Sequence, residues 1–169
     1  MSIQQQVQAV RARMAAAAES SGRRPEDIAL CAATKVQTDD TIRQAIAAGI
    51  AVCGENRVQE LTAHLAAGAY EGARVHFIGH LQTNKVKQVV GRVDLIQSVG
   101  SEHLLRAVEA QADKLGLVQD ILLEVNIAGE ESKGGCTPQE AEELAALAEG
   151  MDHVRLRGLM AIPPVSPEP

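Results

Sequence analysis

The chain is 169 residues long, and its 46% hydrophobic content includes one Phe, one Tyr and no Trp, so any core must be aliphatic. Sixteen basic against twenty-two acidic residues give a net charge of −6, which argues against a nucleic-acid or anionic-membrane partner. No charged-then-apolar leader opens the sequence, no apolar run approaches the roughly eighteen residues of a membrane span, and Cys31, Cys53 and Cys136 form no CxxC pair. A cytoplasmic protein with reduced thiols and no zinc site is expected.

Residues 2–20 carry Ile3, Val7, Val10 and Met14 at helical spacing, with Ser2 and Gln5 as a capping box, and Gly22 and Pro25 end the helix. Ile28-Ala29-Leu30-Cys31-Ala32-Ala33-Thr34-Lys35 is an apolar run closed by a lysine, which predicts a parallel strand buried on both faces with Lys35 at its carboxyl end. A solvated lysine is the ordinary outcome there, whereas an amine held in a pocket is a ready Schiff-base former. Thr38 caps the next helix, with Asp39 and Asp40 in its first turn and Gly49 as its stop. Residues 51–56 form a second strand, and Val58, Leu61 and Leu65 give the following helix its apolar face. Residues 75–80 form a third strand, followed by a short helix over 84–90. A fourth strand over 94–99 leads to a helix capped by Ser101, with Leu104, Leu105, Val108 and Leu115 facing inward. The fifth strand spans 120–127, and Thr137-Pro138-Gln139-Glu140 opens a helix that stops at Gly150. Residues 154–162 form a sixth strand before a proline-rich end.

Six alternating β-then-α units predict a parallel sheet of the α/β class. No Gly-x-Gly-x-x-Gly or Walker loop follows a strand, so a (β/α) TIM-type barrel fits better than a nucleotide-binding sheet. A full barrel needs eight strands and about 250 residues. The expectation is therefore one domain over residues 1–169, an incomplete barrel lacking its last two units and carrying an extra N-terminal helix.

Polar residues crowd the loops after the strands: Lys35; Asn56 and Arg57; His80, Gln82, Asn84 and Lys85; Ser98; Asn126; and Glu130, Ser132 and Lys133. That asymmetry points to a site at the carboxyl face of the sheet. Other chemistries fit less well. His76 and His80 would lie about 13 Å apart along a strand, too far to share a metal. His64, His103 and His153 read as surface residues, and Cys53 as a packed thiol. Glu55 and Glu60 suggest a carboxylate pair, but solvated or capping roles explain them equally well. Tyr70, in the loop before the third strand, falls at the opposite end of the sheet.

The wording of these loops is specific. Gly54-Glu55-Asn56-Arg57-Val58-Gln59-Glu60 and His76-Phe77-Ile78-Gly79-His80-Leu81-Gln82-Thr83-Asn84-Lys85 closely resemble the pyridoxal phosphate homeostasis proteins. Val125-Asn126-Ile127, Glu131-Ser132-Lys133 and Gly158-Leu159-Met160-Ala161-Ile162-Pro163-Pro164 match the same family in the same order. The resemblance implies a barrel similar to the amino-terminal domain of alanine racemase, holding pyridoxal 5′-phosphate (PLP) as a Schiff base on Lys35. From their places at strand ends, Asn56 and His80 are expected to hydrogen-bond the cofactor and Met160 to pack against its ring, and Lys133, in the glycine-flanked loop Ser132-Lys133-Gly134-Gly135, is expected to be a secondary or transfer site. The family is regarded as non-catalytic and active in intracellular vitamin B6 homeostasis, with PLP-dependent apoenzymes as candidate recipients. The alternative is a PLP-dependent amino-acid racemase or a fragment of one, which needs a second base facing the lysine. Gln37 stands where the family has a second lysine, Val75 where it has a tryptophan, and Gly100 where it has an aspartate. Family members continue into two more strands, whose loops supply serine, glycine and threonine contacts to the phosphate and an arginine near the pyridine nitrogen. Those residues are absent from this sequence.

Overall fold

The computed structural model describes residues 1–129 and 134–164. By its internal contacts the chain falls into two compact units, Met1–Val75 and His76–Pro169.

The first unit opens with helix α1, Ile3–Ser20, fastened by the expected capping box: Gln5 N donates to Ser2 Oγ at 3.2 Å, and Ser2 N to Gln5 Oε1 at 2.9 Å. Strands β1, Cys31–Ala33, and β2, Val52–Glu55, pair in parallel with Cys31 opposite Val52 and Ala33 opposite Gly54. Helix α2, Asp39–Ala47, follows β1 and is capped by Thr38 Oγ1; helix α3, Val58–Ala66, follows β2. Ile42 of α2, Val52 and Cys53 of β2, Leu61 of α3 and the Tyr70 ring make the core. The first strand departs from expectation. It is three residues long, Ile28 is 37% exposed, and neither Cys31 nor Ala32 is fully buried. Its alanines offer little apolar area to cover, and among the described residues it pairs with β2 alone.

The second unit takes up the chain within strand β3, Arg74–Phe77. It continues through β4, Leu95–Val99, β5, Gln119–Glu124, and β6, Val154–Met160, all parallel and in sequence order. Helix α4, Glu102–Leu115, is capped by Ser101 Oγ and closed by Gly116 in the left-handed conformation. Helix α5, Pro138–Glu149, begins at a capping box of Thr137 and Glu140, as expected. The segment after β3 is a 3-10 helix over Thr83–Gln88 rather than an α-helix. Phe77, Ile96, Leu105, Val108, Ile121 and Leu123 are fully buried and form the core. Leu115, expected to face inward, is 50% exposed, because it stands in the last turn before the chain reverses at Gly116.

Strand β6 is the least covered of the second unit. Leu159 is 65% exposed, and the pairing with β5 slips around Gly158, whose φ of +146° few other residues adopt. Among the described residues no helix is long and apolar enough to cross a membrane.

Candidate functional site

In the first unit the strand-end residues are held by a buried hydrogen-bond cluster. Thr34 N continues the β1–β2 ladder by donating to Gly54 O at 2.9 Å, which sets the carboxyl ends of the two strands side by side. Glu55, the last residue of β2, is fully buried. Its Oε1 accepts from the backbone N–H groups of Asn56 (2.7 Å) and Arg57 (3.2 Å). Its Oε2 accepts from Thr34 Oγ1 (3.1 Å) and Tyr70 OH (3.2 Å). The Glu55 carboxylate thus shapes the turn from β2 into α3, where Arg57 offers no side-chain cap of its own. Burial, with the Glu55 carboxylate adding to it, holds the Tyr70 phenol well above its usual pKa. Tyr70 was expected at the far end of the sheet; its ring crosses the core instead, and its hydroxyl ends on Thr34 and Glu55.

Lys35 follows directly, with its side chain exposed. It occupies the second position of a β-turn closed by Gln37 N donating to Thr34 O at 3.0 Å. The third position is Val36, with φ of +57°, the one non-glycine residue with positive φ among those described. A turn of this type ordinarily takes glycine there, and a β-branched residue in the left-handed region costs on the order of 1–3 kcal/mol. The Val36 amide donates to Glu60 Oε2 on α3 at 2.8 Å, and Arg57 Nη1 holds Glu60 Oε1 at 3.1 Å. The Val36 N–H, more than the Arg57 guanidinium, keeps the Glu60 carboxyl below the usual carboxylate range.

Asn56, at the end of β2, completes this corner. Its Oδ1 is buried and has no hydrogen-bond partner among the described residues, an orphaned acceptor that is costly unless something donates to it. Glu55, Glu60 and His64 bring ligand-type atoms within 4.8 Å of one another. Those atoms are largely committed within the protein: Glu55 to four donors, Glu60 to Val36 and Arg57, and His64 through Nδ1 to Asp39 Oδ1 at 2.6 Å. His64 is therefore no surface residue. It is half-buried between Asp39 and the edge of the Tyr70 ring.

The thiols here are packed. Burial, then the neighbouring Cys31, pushes Cys53 up to about 11, and burial also raises Cys31.

In the second unit His80, exposed just after β3, lines a cavity of about 510 Å3 with Gln82, Asn84, Ser98, Glu124 and Gly135. Burial pushes the Glu124 carboxyl above its ordinary value, and His80 partly opposes it. Ser98 Oγ, also buried, has no hydrogen-bond partner among the described residues. Met160 ends β6 half-buried, and its carbonyl accepts from Val125 N at 2.8 Å. His76 meets Gln97 through Nδ1 at 2.8 Å, as a satisfied strand histidine should. His153, expected at the surface, is half-buried against Glu109, which accepts from its backbone N–H. Lys133 lies outside the described residues, as do Glu130 and Ser132. Lys35 and Asn56 thus share one corner of the first unit, while His80 and Met160 each stand at a strand end of the second. Sequence reasoning missed the Val36–Glu60 contact and the burial of Glu55 and Glu124, since spacing alone does not reveal a positive φ or a buried carboxylate.

Residues 5–169 match the family described as alanine racemase, N-terminal domain. The pyridoxal phosphate homeostasis protein of Aquifex aeolicus (strain VF5) is 40% identical over 157 residues, which cover 93% of this chain and 69% of that protein. Among solved structures, an unknown protein from Bifidobacterium adolescentis superposes with a TM-score of 0.88 at 39% identity, over 95% of this chain and 69% of that one. PipY of Synechococcus elongatus PCC7942, with PLP bound, gives a TM-score of 0.75 at 32% identity, over 94% of this chain and 73% of that one. By sequence and fold together, the chain belongs to the alanine racemase N-terminal domain family and, within it, to the pyridoxal phosphate homeostasis proteins.

Proposed function

We propose that this chain binds PLP without turning over a substrate and serves intracellular vitamin B6 homeostasis. The observation that carries the reading is the pair of adjoining strand ends: an exposed lysine after β1 and, after β2, a buried Asn56 acceptor without a partner among the described residues. These residues fit the cofactor. When bound, PLP supplies an aldehyde that condenses with a neutral amine, with loss of one water. Lys35 Nζ is the amine to which it attaches, and among the described residues it is in no ion pair. The Asn56 amide offers an acceptor and a donor to a ring hydroxyl. His80 and Met160 are proposed as further contacts, His80 as a strand-end polar group and Met160 as an apolar surface for the ring. Lys133 is proposed as a secondary or transfer site, with PLP-dependent apoenzymes as recipients, in the cytoplasm.

The racemase alternative needs a proton-transferring base opposite the lysine. Tyr70, the sole tyrosine, is buried and donates its hydroxyl proton to Glu55, so it is not free for that role. Racemisation of added amino acids is expected to stay at the background rate.

Mixing the protein with PLP, reducing with borohydride and mapping the peptides should place the phosphopyridoxyl group on Lys35. Lys35→Ala should lose most of the adduct, and Lys35→Ala/Lys133→Ala the remainder. An adduct elsewhere with Lys35 unmodified overturns the assignment. Identical binding by the single and double variants reduces Lys133 to a surface residue.

A further inference from the structure

We infer that Glu60 is a positioning residue for Lys35, acting by locking the strained turn that presents the amine. The inference rests on Lys35 being the attachment point.

In the turn from Thr34 to Gln37, Lys35 and Val36 occupy the two central positions, and only Val36 has positive φ. That is the type II pattern, and valine is a poor residue for its third position. Flipping the Lys35–Val36 peptide would give the commoner type I turn and return Val36 to an ordinary conformation, so the sequence of the turn favours the flipped form. Glu60 opposes the flip in two ways. Its Oε2 accepts the Val36 N–H at 2.8 Å, a bond the flip would break. The flip would also turn the Lys35 carbonyl oxygen towards the same carboxylate, oxygen against oxygen. Arg57 Nη1 steadies the carboxylate from its other oxygen at 3.1 Å. Glu60 sits in the first turn of α3, so the lock ties the β1–α2 loop to a rigid helix. The backbone on the carboxyl side of Lys35 is thereby fixed before any aldehyde arrives, which lowers the ordering cost of attachment.

Four variants test this: Glu60→Ala, Glu60→Gln, Val36→Gly and the double variant Val36→Gly/Glu60→Ala. Each is titrated with PLP, which bonds to Lys35, and with pyridoxamine 5′-phosphate, which has no aldehyde and binds only non-covalently. Loss of one charge-assisted hydrogen bond should weaken PLP binding to Glu60→Ala about 10-fold or more, with little change for pyridoxamine 5′-phosphate. Glu60→Gln keeps an acceptor for the Val36 N–H and should stay within about threefold of the parent. Glycine is at home at the third turn position, so Val36→Gly/Glu60→Ala should recover most of the loss.

Equal weakening for both ligands would mean general damage and would overturn the inference, as would an unchanged Glu60→Ala or a double variant no better than it. If the parent protein carries no adduct on Lys35, the functional reading itself fails and the inference falls with it. That outcome is visible before any variant is made.

Discussion

Glu55 has no exposed surface, and no lysine or arginine side chain pairs with it among the described residues. Two backbone amides, a threonine hydroxyl and a phenol meet its oxygens instead. Removing one of these donors leaves part of a buried carboxylate unsatisfied, while the rest of the cluster stays in place. Tyr70→Phe keeps the ring in the core and deletes only the hydroxyl, so it should lower stability by about 1.5–3 kcal/mol, the range for hydrogen bonds to charged groups. Urea unfolding of the parent and the variant checks this. The strand-end places of Lys35 and Asn56 were legible in the sequence, because an apolar run ending on lysine and a distinctive Gly-Glu-Asn-Arg loop announce them. Val36 was not. A positive φ at a valine follows from what α3 offers to its amide, and no local pattern announces it.

Helix starts were the most readable elements. Ser2, Thr38, Ser101 and Thr137 all cap through side-chain oxygens where the sequence expects them, because capping is decided within four residues. Thr137→Ala removes the acceptor for Glu140 N and the hydroxyl that donates to Glu140 Oε2, and should cost about 0.5–2 kcal/mol. A lowered midpoint of thermal unfolding with unchanged folded-state circular dichroism checks it. Strand ends were less legible, since pairing partners far along the chain decide them. β5 stops at Glu124 rather than Ile127 because Asn126 N turns aside to Cys136 O at 2.8 Å. The expected helix over 84–90 is a 3-10 segment over Thr83–Gln88, a distinction the residue types do not draw.

For the molecule as a whole, the six strands with helices between them were visible because the hydrophobic pattern repeats from one strand to the next. The fold class needed no single residue to be read correctly. Acid stability is set by groups the sequence could not rank. Glu60 and Glu140 are lowered, chiefly by backbone N–H groups, so they stabilise the fold above the unfolded carboxyl pKa. That contribution is lost as pH falls through their folded values. Glu124 has the opposite sign: burial raises it, so its ionisation at neutral pH opposes folding, and the penalty disappears below the unfolded value of about 4.3. Glu124→Gln is therefore expected to raise the urea midpoint at pH 7 and to leave it unchanged near pH 3. Equal gains at both pH values would show that the effect is packing rather than charge.

The packed thiols have a consequence for selectivity. Sulfur competes readily with nitrogen for aldehydes, but only when the thiol is accessible and ready to ionise. Burial raises Cys31, Cys53 and Cys136 alike, with Cys53 at about 11, so at neutral pH all three hold their protons. Cys31 stands four residues before Lys35, near enough along the chain to be a rival. An electrophile offered to the folded protein should therefore spare the part-buried sulfur that opens β1 and reach the exposed amine that follows the strand.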